Sequence, residues 1–85
     1  MDSLISNYVI NHEKSTYKIK VYYNEYFRQY LVYKDSGTIY INIAFHKHFQ
    51  KYLLEYWTEM DDGHDDYFNI KYDFSNKKII KYKTN

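Results

Sequence analysis

Apolar and polar residues alternate along most of this chain. A period of two is typical of β-strands, because successive side chains point to opposite faces of a sheet. Five segments show this alternation and are predicted as strands: 16–23, 26–33, 38–43, 67–74 and 78–83. The clearest turn signal is Lys34-Asp35-Ser36-Gly37, where Gly37 is free to adopt positive φ.

Residues 44–60 follow a different pattern. Their apolar side chains recur mostly at steps of three and four, which would place them on one stripe of a helix. The stripe consists of Phe45, Phe49, Tyr52, Leu53, Tyr56, Trp57 and Met60. The pattern predicts a helix over 44–60 that packs on one face of the sheet.

Residues 2–13 fit two patterns. Leu4, Ile5, Tyr8 and Val9 recur at helical spacing, and Asp2 or Ser3 could cap a helix. The run 8–10 also suits a strand core. The helical spacing favours a short N-terminal helix, with a strand as the alternative.

Together these elements predict a single α+β domain over residues 1–85. Its mainly antiparallel sheet would have about five strands in the order β-β-β-α-β-β. The side chains expected to face the helix are Ile19, Val21, Phe27, Leu31, Ile39, Ile41, Phe68, Ile70 and Ile80.

The second face of this sheet is expected to be open. A helix is about 10 Å wide and strands lie about 4.8 Å apart, so one helix covers two or three strands. The residues expected on the open face are Lys18, Lys20, Tyr22, Arg28, Tyr30, Tyr40, Asn42, Asn69, Lys71 and Lys81. Tyrosine is enriched at protein interfaces, so this face is predicted to bind a partner.

Composition narrows the function classes. The chain has no cysteine and a net charge of +1, so neither a disulfide framework nor a strong field towards nucleic acid is expected. No apolar run could span a membrane, and the N-terminal residues do not resemble a signal peptide. We therefore expect a cytoplasmic protein that does not contact a membrane. Scarce Ala, Arg, Gly and Pro, with abundant Lys, Asn, Ile and Tyr, indicate an AT-rich genome.

Candidate chemistry is sparse. The acidic segment 59–66 has one histidine among its carboxylates, but its spacing does not fit an EF-hand. Acidic residues that follow a helix oppose its dipole, which makes this segment unusual. It is interpreted as a solvated loop, with contact to a basic partner surface as the functional alternative. His46 and His48 would diverge on a helix, and no serine has a nucleophile motif. No enzyme activity, metal or cofactor is expected.

In size, composition and lack of enzyme motifs, the chain resembles small accessory proteins of phages and mobile elements, including inhibitors of bacterial defence such as anti-CRISPRs. No motif carries this resemblance. It implies a non-enzymatic module that binds and occludes a host protein. The predicted contact residues are Lys18, Lys20, Tyr22, Arg28, Tyr30, Tyr40, Asp61, Asp62, Asp65 and Asp66.

Two alternatives use the same surfaces. Tyrosines interleaved with Lys18, Lys20, Lys71 and Lys81 could bind single-stranded nucleic acid, although no RNA-binding motif accompanies them. A homodimer could instead form through the open face or through edge strands.

Overall fold

The structure, a computed structural model, describes residues 2–58 and 66–84. Two short α-helices precede a four-stranded antiparallel sheet whose spatial order follows the sequence, β1-β2-β3-β4. This confirms a small α+β fold, with four strands instead of five. The elements are α1 (Asp2–Asn11), α2 (Tyr17–Tyr22), a 3-10 turn (Tyr23–Glu25), β1 (Phe27–Asp35), β2 (Thr38–His46), a second 3-10 turn (Lys51–Leu54), β3 (Tyr67–Asp73) and β4 (Lys78–Thr84).

The two-residue turn Ser36-Gly37 joins β1 to β2. Both residues have positive φ, 51° and 84°, as a type I′ turn requires, and this turn matches the twist of paired strands. The pairing runs without a break from Asp35 opposite Thr38 to Phe27 opposite His46. The turn therefore fixes which side chains of the two strands share a face.

One face of the sheet packs against both helices. Ile5 and Val9 lie one turn apart on α1 and are buried, as is Ile19 of α2. They join a core in which the rings of Phe45 and Phe68 stack with centroids 4.3 Å apart. Dispersion and loss of apolar surface from water stabilise this layer.

The other face of the sheet, called the outer face below, is partly covered by residues 47–58. Leu53 is buried there, and the Gln29 amide donates hydrogen bonds to the carbonyl oxygens of Leu53 and Tyr56. The ring of Phe49 packs edge-on against Phe27. The expectation of a wholly open second face is therefore wrong for the half of the sheet near His46.

The helix predicted for residues 44–60 is absent from its described part. Ala44, Phe45 and His46 continue β2, and the second 3-10 turn is the one helical turn in residues 47–58. Residues 59 and 60 lie outside the described residues. Strand pairing is favoured because β1 and β3 both bond to this end of β2, and Phe45 then reaches the core.

The strand predicted for residues 16–23 is also wrong. Residues 17–22 form α2, and the Thr16 side chain caps it by accepting a hydrogen bond from the Ile19 amide, 3.2 Å. Ile19 and Tyr23 are the buried pair, whereas Val21 is 52% exposed. A spacing of four puts two residues, such as Ile19 and Tyr23, on the same side of either a helix or a strand. The pattern of residues 16–23 therefore fits both elements.

The remaining elements agree with the sequence. The N-terminal helix is confirmed as α1, and the four other predicted strands correspond to β1–β4 with bounds shifted by up to three residues. None of the described helices has the length and apolar character needed to cross a membrane.

Candidate functional site

A group of tyrosine, lysine and asparagine side chains occupies the half of the outer face near the Ser36-Gly37 turn. Strand pairing brings them together, since Tyr33 lies opposite Tyr40 and Lys71 lies opposite both Asn42 and Lys81. We call this group the tyrosine–lysine patch. It consists of Tyr33, Tyr40, Asn42, Asn69, Lys71 and Lys81. All of these except Tyr40 line, together with Trp57, a cavity of about 200 Å³.

The centre of the patch is a fixed arrangement of two rings and one ammonium group. The Tyr33 and Tyr40 rings stack with centroids 5.5 Å apart. The Lys71 Nζ atom lies 4.7 Å from the Tyr40 centroid and 5.6 Å from that of Tyr33, within cation–π range. A hydrogen bond with the Tyr33 side chain raises the pKa of Lys71 above its ordinary value.

Around the patch, the outer face carries four lysines against two carboxylates, those of exposed Asp35 and of Asp73. Lys78, Lys81 and Lys83 of β4 share this face with Lys71. Lys81 and Lys83 do so by simple alternation, and a bulge in the β3–β4 pairing shifts the register by one residue so that Lys78 does as well. The carboxylate of Asp73 is buried, and it accepts hydrogen bonds from the amide and side chain of Asn76. The Asn76 side chain is the main cause that lowers the pKa of Asp73. This half of the sheet is suited to an anionic ligand.

The predicted contact residues do not share one surface. Lys18, Lys20 and Tyr22 lie on α2. Arg28 and Tyr30 lie on the helix-packed side of β1, since they pair with Phe45 and Ile43 of the core. Of the three tyrosines among the predicted contact residues, Tyr22, Tyr30 and Tyr40, only Tyr40 belongs to the patch. Asn42, Asn69, Lys71 and Lys81 were correctly placed on the outer face.

Asp66, one of the predicted contact residues, forms contacts within the protein. Its carboxylate accepts a 2.7 Å hydrogen bond from Lys18 Nζ and lies 3.2 Å from His48 Nε2. The Lys18 hydrogen bond is the largest cause that lowers the pKa of Asp66. The group connects α2 to the start of β3. Asp61, Asp62 and Asp65 lie outside the described residues, so their predicted contact with a partner stays a prediction.

The two faces of β1 are the reverse of those predicted from the sequence. Phe27 and Leu31 were predicted to face the helix and Tyr30 to face outwards. This prediction was ambiguous because β1 has apolar residues at both odd- and even-numbered positions. The turn itself was the signal that could have corrected this. A two-residue hairpin puts Tyr33 opposite Tyr40, and Tyr40 alternates with the buried isoleucines of β2.

Gln29 and His46 are a further pair that the sequence reasoning missed. Both are buried on the outer face, with His46 Nε2 2.9 Å from Gln29 Oε1. Thr58 also donates its amide hydrogen to Gln29 Oε1, 3.1 Å. These bonds hold residues 53–58 on the sheet, beside the patch. No cluster of histidine and carboxylate side chains with the arrangement of a metal site occurs among the described residues.

Comparison of the chain with protein-family models, curated proteins and solved structures finds no match.

Proposed function

We propose that this protein is a non-enzymatic binding module whose tyrosine–lysine patch docks an acidic surface of a protein partner. The observation that carries the proposal is the exposed ammonium group of Lys81 beside Lys71 and the stacked rings of Tyr33 and Tyr40. Tyrosine supplies contact area and hydrogen bonding together, and lysine selects for negative charge.

The rigidity of the patch supports this use. Binding costs free energy when side chains lose rotamer freedom, and side chains that are already fixed avoid much of that cost. The ring stack and the Lys71 contact hold three side chains in place before any partner arrives. Asn42 and Asn69 add amide groups that can donate to carboxylates.

The test is affinity capture from the native host, followed by mass spectrometry. Tyr40→Ala and Lys81→Glu should each weaken association with the captured protein, by about 1–2 kcal/mol if they are central contacts. Tyr17→Ala and Lys20→Glu are matched controls on the exposed side of α2 and should bind normally. Equal recovery by all four variants would contradict the proposal.

The finer proposal is that the partner is a host defence protein that the module inhibits by occlusion. Its support is the size and composition of the chain, together with the scarcity of catalytic motifs in its sequence. The identity of the captured protein, and assay of that protein's activity with and without the module, decide it.

Binding of single-stranded nucleic acid is the second candidate. It is favoured by the position of Tyr40, Lys71 and Lys81 on one face of the sheet, since bases stack on aromatic rings and phosphates pair with cations. The Tyr33–Tyr40 stack and the Lys71 contact count against it, because they already occupy part of the ring surface.

A salt titration separates the two candidates. Fluorescence anisotropy with labelled oligothymidylate should show affinity that falls steeply with salt if phosphates are contacted, and Lys81→Glu should weaken it. Absence of binding at about 20 mM salt, where phosphate contacts are strongest, would reject the nucleic-acid candidate.

A further inference from the structure

Strand β1 lies at the edge of the sheet and presents hydrogen-bonding groups to solvent. In a two-residue hairpin the flanking pair Asp35–Thr38 is hydrogen-bonded, so alternate residues of β1 bond to β2. The Ile39 carbonyl oxygen accepts from the Phe74 amide at 2.9 Å, which confirms that Ile39 faces away from β1. The residues of β1 whose N–H and C=O groups point outwards are therefore Arg28, Tyr30, Val32 and Lys34.

This edge lacks two of the features that usually prevent strand pairing, a bulge and a proline. The pairing of its nine residues with β2 has no bulge, and the chain has no proline. Tyr30 is 52% exposed and Val32 is 62% exposed. In the described part of the chain, no hydrogen bond to the outward backbone groups of Tyr30, Val32 or Lys34 is formed. The edge can accept another strand.

A cavity flanks the edge on each side of the sheet. On the outer face, Phe27, Leu31 and residues 53–57 line a groove of about 460 Å³ with many apolar side chains. On the helix side, Ser6, Tyr23, Asn24, Arg28 and Tyr30 line a more polar cavity of about 240 Å³. Side chains of an added strand alternate between the two faces, so they would enter these two cavities in turn.

Arg28 contributes a positive charge to the lining of the helix-side cavity. It is the only arginine of the chain, and its guanidinium group donates to the carbonyl oxygens of Tyr26 and Tyr23 at 3.3 and 3.2 Å. The guanidinium carbon also lies 4.9 and 5.0 Å from the ring centroids of Tyr23 and Phe45. Two hydrogen bonds leave part of its five N–H donors for a ligand. Within the described residues it forms no ion pair.

We propose that β1 accepts an extended acidic segment of a partner protein as a fifth strand, with a carboxylate bound by Arg28. The four outward residues of β1 have cations at the two ends, Arg28 and Lys34, and largely apolar side chains between them, Tyr30 and Val32. The complementary segment has carboxylates opposite Arg28 and Lys34, and β-branched side chains between them. Its alternate side chains are apolar and enter the outer groove.

The same charges disfavour a second copy of this chain as the occupant. If two β1 strands pair antiparallel so that all four outward residues of each are bonded, Arg28 lies opposite Lys34 of the other copy. This like-charge pair occurs twice by symmetry, and like charges directly opposite each other are destabilising.

The experiment uses the full chain and an acetylated, amidated peptide, Glu-Val-Val-Leu-Thr-Val-Glu. The control peptide has lysine at both ends. We expect the acidic peptide to bind at least about tenfold more tightly, since charge-assisted hydrogen bonds contribute about 1.5 kcal/mol or more. Lys34→Glu changes an exposed side chain and should largely remove this preference, since only Arg28 then still favours a carboxylate. Equal binding of the two peptides, or no binding of either, would overturn the proposal.

Amide hydrogen exchange gives a readout with an internal control. Addition of the acidic peptide should slow exchange of the outward amides of Tyr30, Val32 and Lys34. The inward amides of Leu31 and Tyr33 are already bonded to β2 and should change little. Slowed exchange elsewhere, with no change at the outward amides, would place the peptide at another site and overturn the proposal.

Backbone variants test the added strand directly. Val32→Pro removes an outward N–H without removing a bond to β2, so it should abolish peptide binding while the fold is retained by circular dichroism. Val32→Thr keeps the N–H and should bind within about threefold of the original protein. If Val32→Pro binds the peptide normally, the acidic segment is not the occupant of this edge. The same conclusion follows if light scattering shows that Val32→Pro converts a dimer to a monomer. These residues lie outside the tyrosine–lysine patch, so this inference and the proposed function fail independently.

Discussion

Gln29 determines which atoms of its buried neighbours donate and which accept hydrogen bonds. Its Nε2 faces the carbonyl oxygens of Leu53 and Tyr56, so that atom must be the donor, and its Oε1 accepts from the Thr58 amide. His46 Nε2 lies 2.9 Å from the same oxygen, which cannot donate, so the hydrogen of neutral His46 is on Nε2. A second proton would have to enter at Nδ1 of a side chain that is 2% exposed.

Gln29→Ala should destabilise the protein strongly. The substitution leaves the buried hydrogen-bonding groups of His46 and Leu53 without their partner, and residues 53–58 lose their attachment to the sheet. We expect a loss of about 2–3 kcal/mol in the free energy of unfolding, measured by urea denaturation. Gln50→Ala is the matched control, because Gln50 is exposed and makes no capping hydrogen bond. A similar loss in both variants would contradict this role for Gln29.

His46 should make stability depend on pH. Burial lowers the pKa of His46 from its ordinary value of 6.5. The unfolded chain therefore takes up this proton more readily than the folded protein does, and the free energy of unfolding falls as pH drops below 6.5. Urea midpoints at a series of pH values would measure the fall. His46→Gln should flatten it and His48→Gln should retain it; an unchanged fall in His46→Gln would refute the assignment.

At the scale of elements, local turn geometry directs the sheet more than hydrophobic periodicity does. The Ser36-Gly37 turn sets the β1–β2 register and, through it, the contact of Tyr33 with Tyr40. Periodicity by itself failed twice. The spacing of Ile19 and Tyr23 suits a helix or a strand, and the helical stripe of residues 45–57 was broken where β2 continues through His46.

Substitutions in this turn should change stability in opposite directions. Gly37→Ala meets no neighbouring atom within 4 Å, but it keeps a φ of +84° that a Cβ disfavours. We expect it to cost about 1 kcal/mol. Ser36→Asn creates the Asn-Gly pair that type I′ turns prefer, and should stabilise by about 0.5 kcal/mol. Thermal unfolding would measure both changes, and a stabilising Gly37→Ala would show that the turn geometry is wrong.

At the scale of the molecule, the two faces of the sheet are covered by different means. The helix layer buries one face through regular packing, whereas residues 47–58 cover half of the other face through hydrogen bonds to Gln29. The tyrosine–lysine patch is the remainder of that second face. Its size therefore depends on how far this connection extends across the sheet.

The helix layer should contribute much of the stability. Ile5→Ala removes a side chain that is 2% exposed and packed in the core, so we expect a loss of about 2–4 kcal/mol. Ile10→Ala, on the same helix at 39% exposure, should cost about 1 kcal/mol or less. Equal losses measured by urea denaturation would show that α1 does not pack as described.

Elements with local signals can be predicted from the amino-acid sequence of this protein. Alternation and turn chemistry located β1–β4, helical spacing located α1, and the same alternation placed Tyr40, Asn42, Asn69, Lys71 and Lys81 on the face opposite the core. These features depend on residues a few positions apart, so a single chain reveals them.

The other features depend on contacts between residues that are distant in the sequence. Whether residues 44–46 join a strand depends on β1 and β3, and the burial of Gln29 and His46 depends on residues 53–58, which are distant in sequence. The exposed edge of β1 and the cavity beside Arg28 likewise exist only once four strands and two helices are assembled. Free energies of long-range pairing and burial exceed local propensities, and they determined these features.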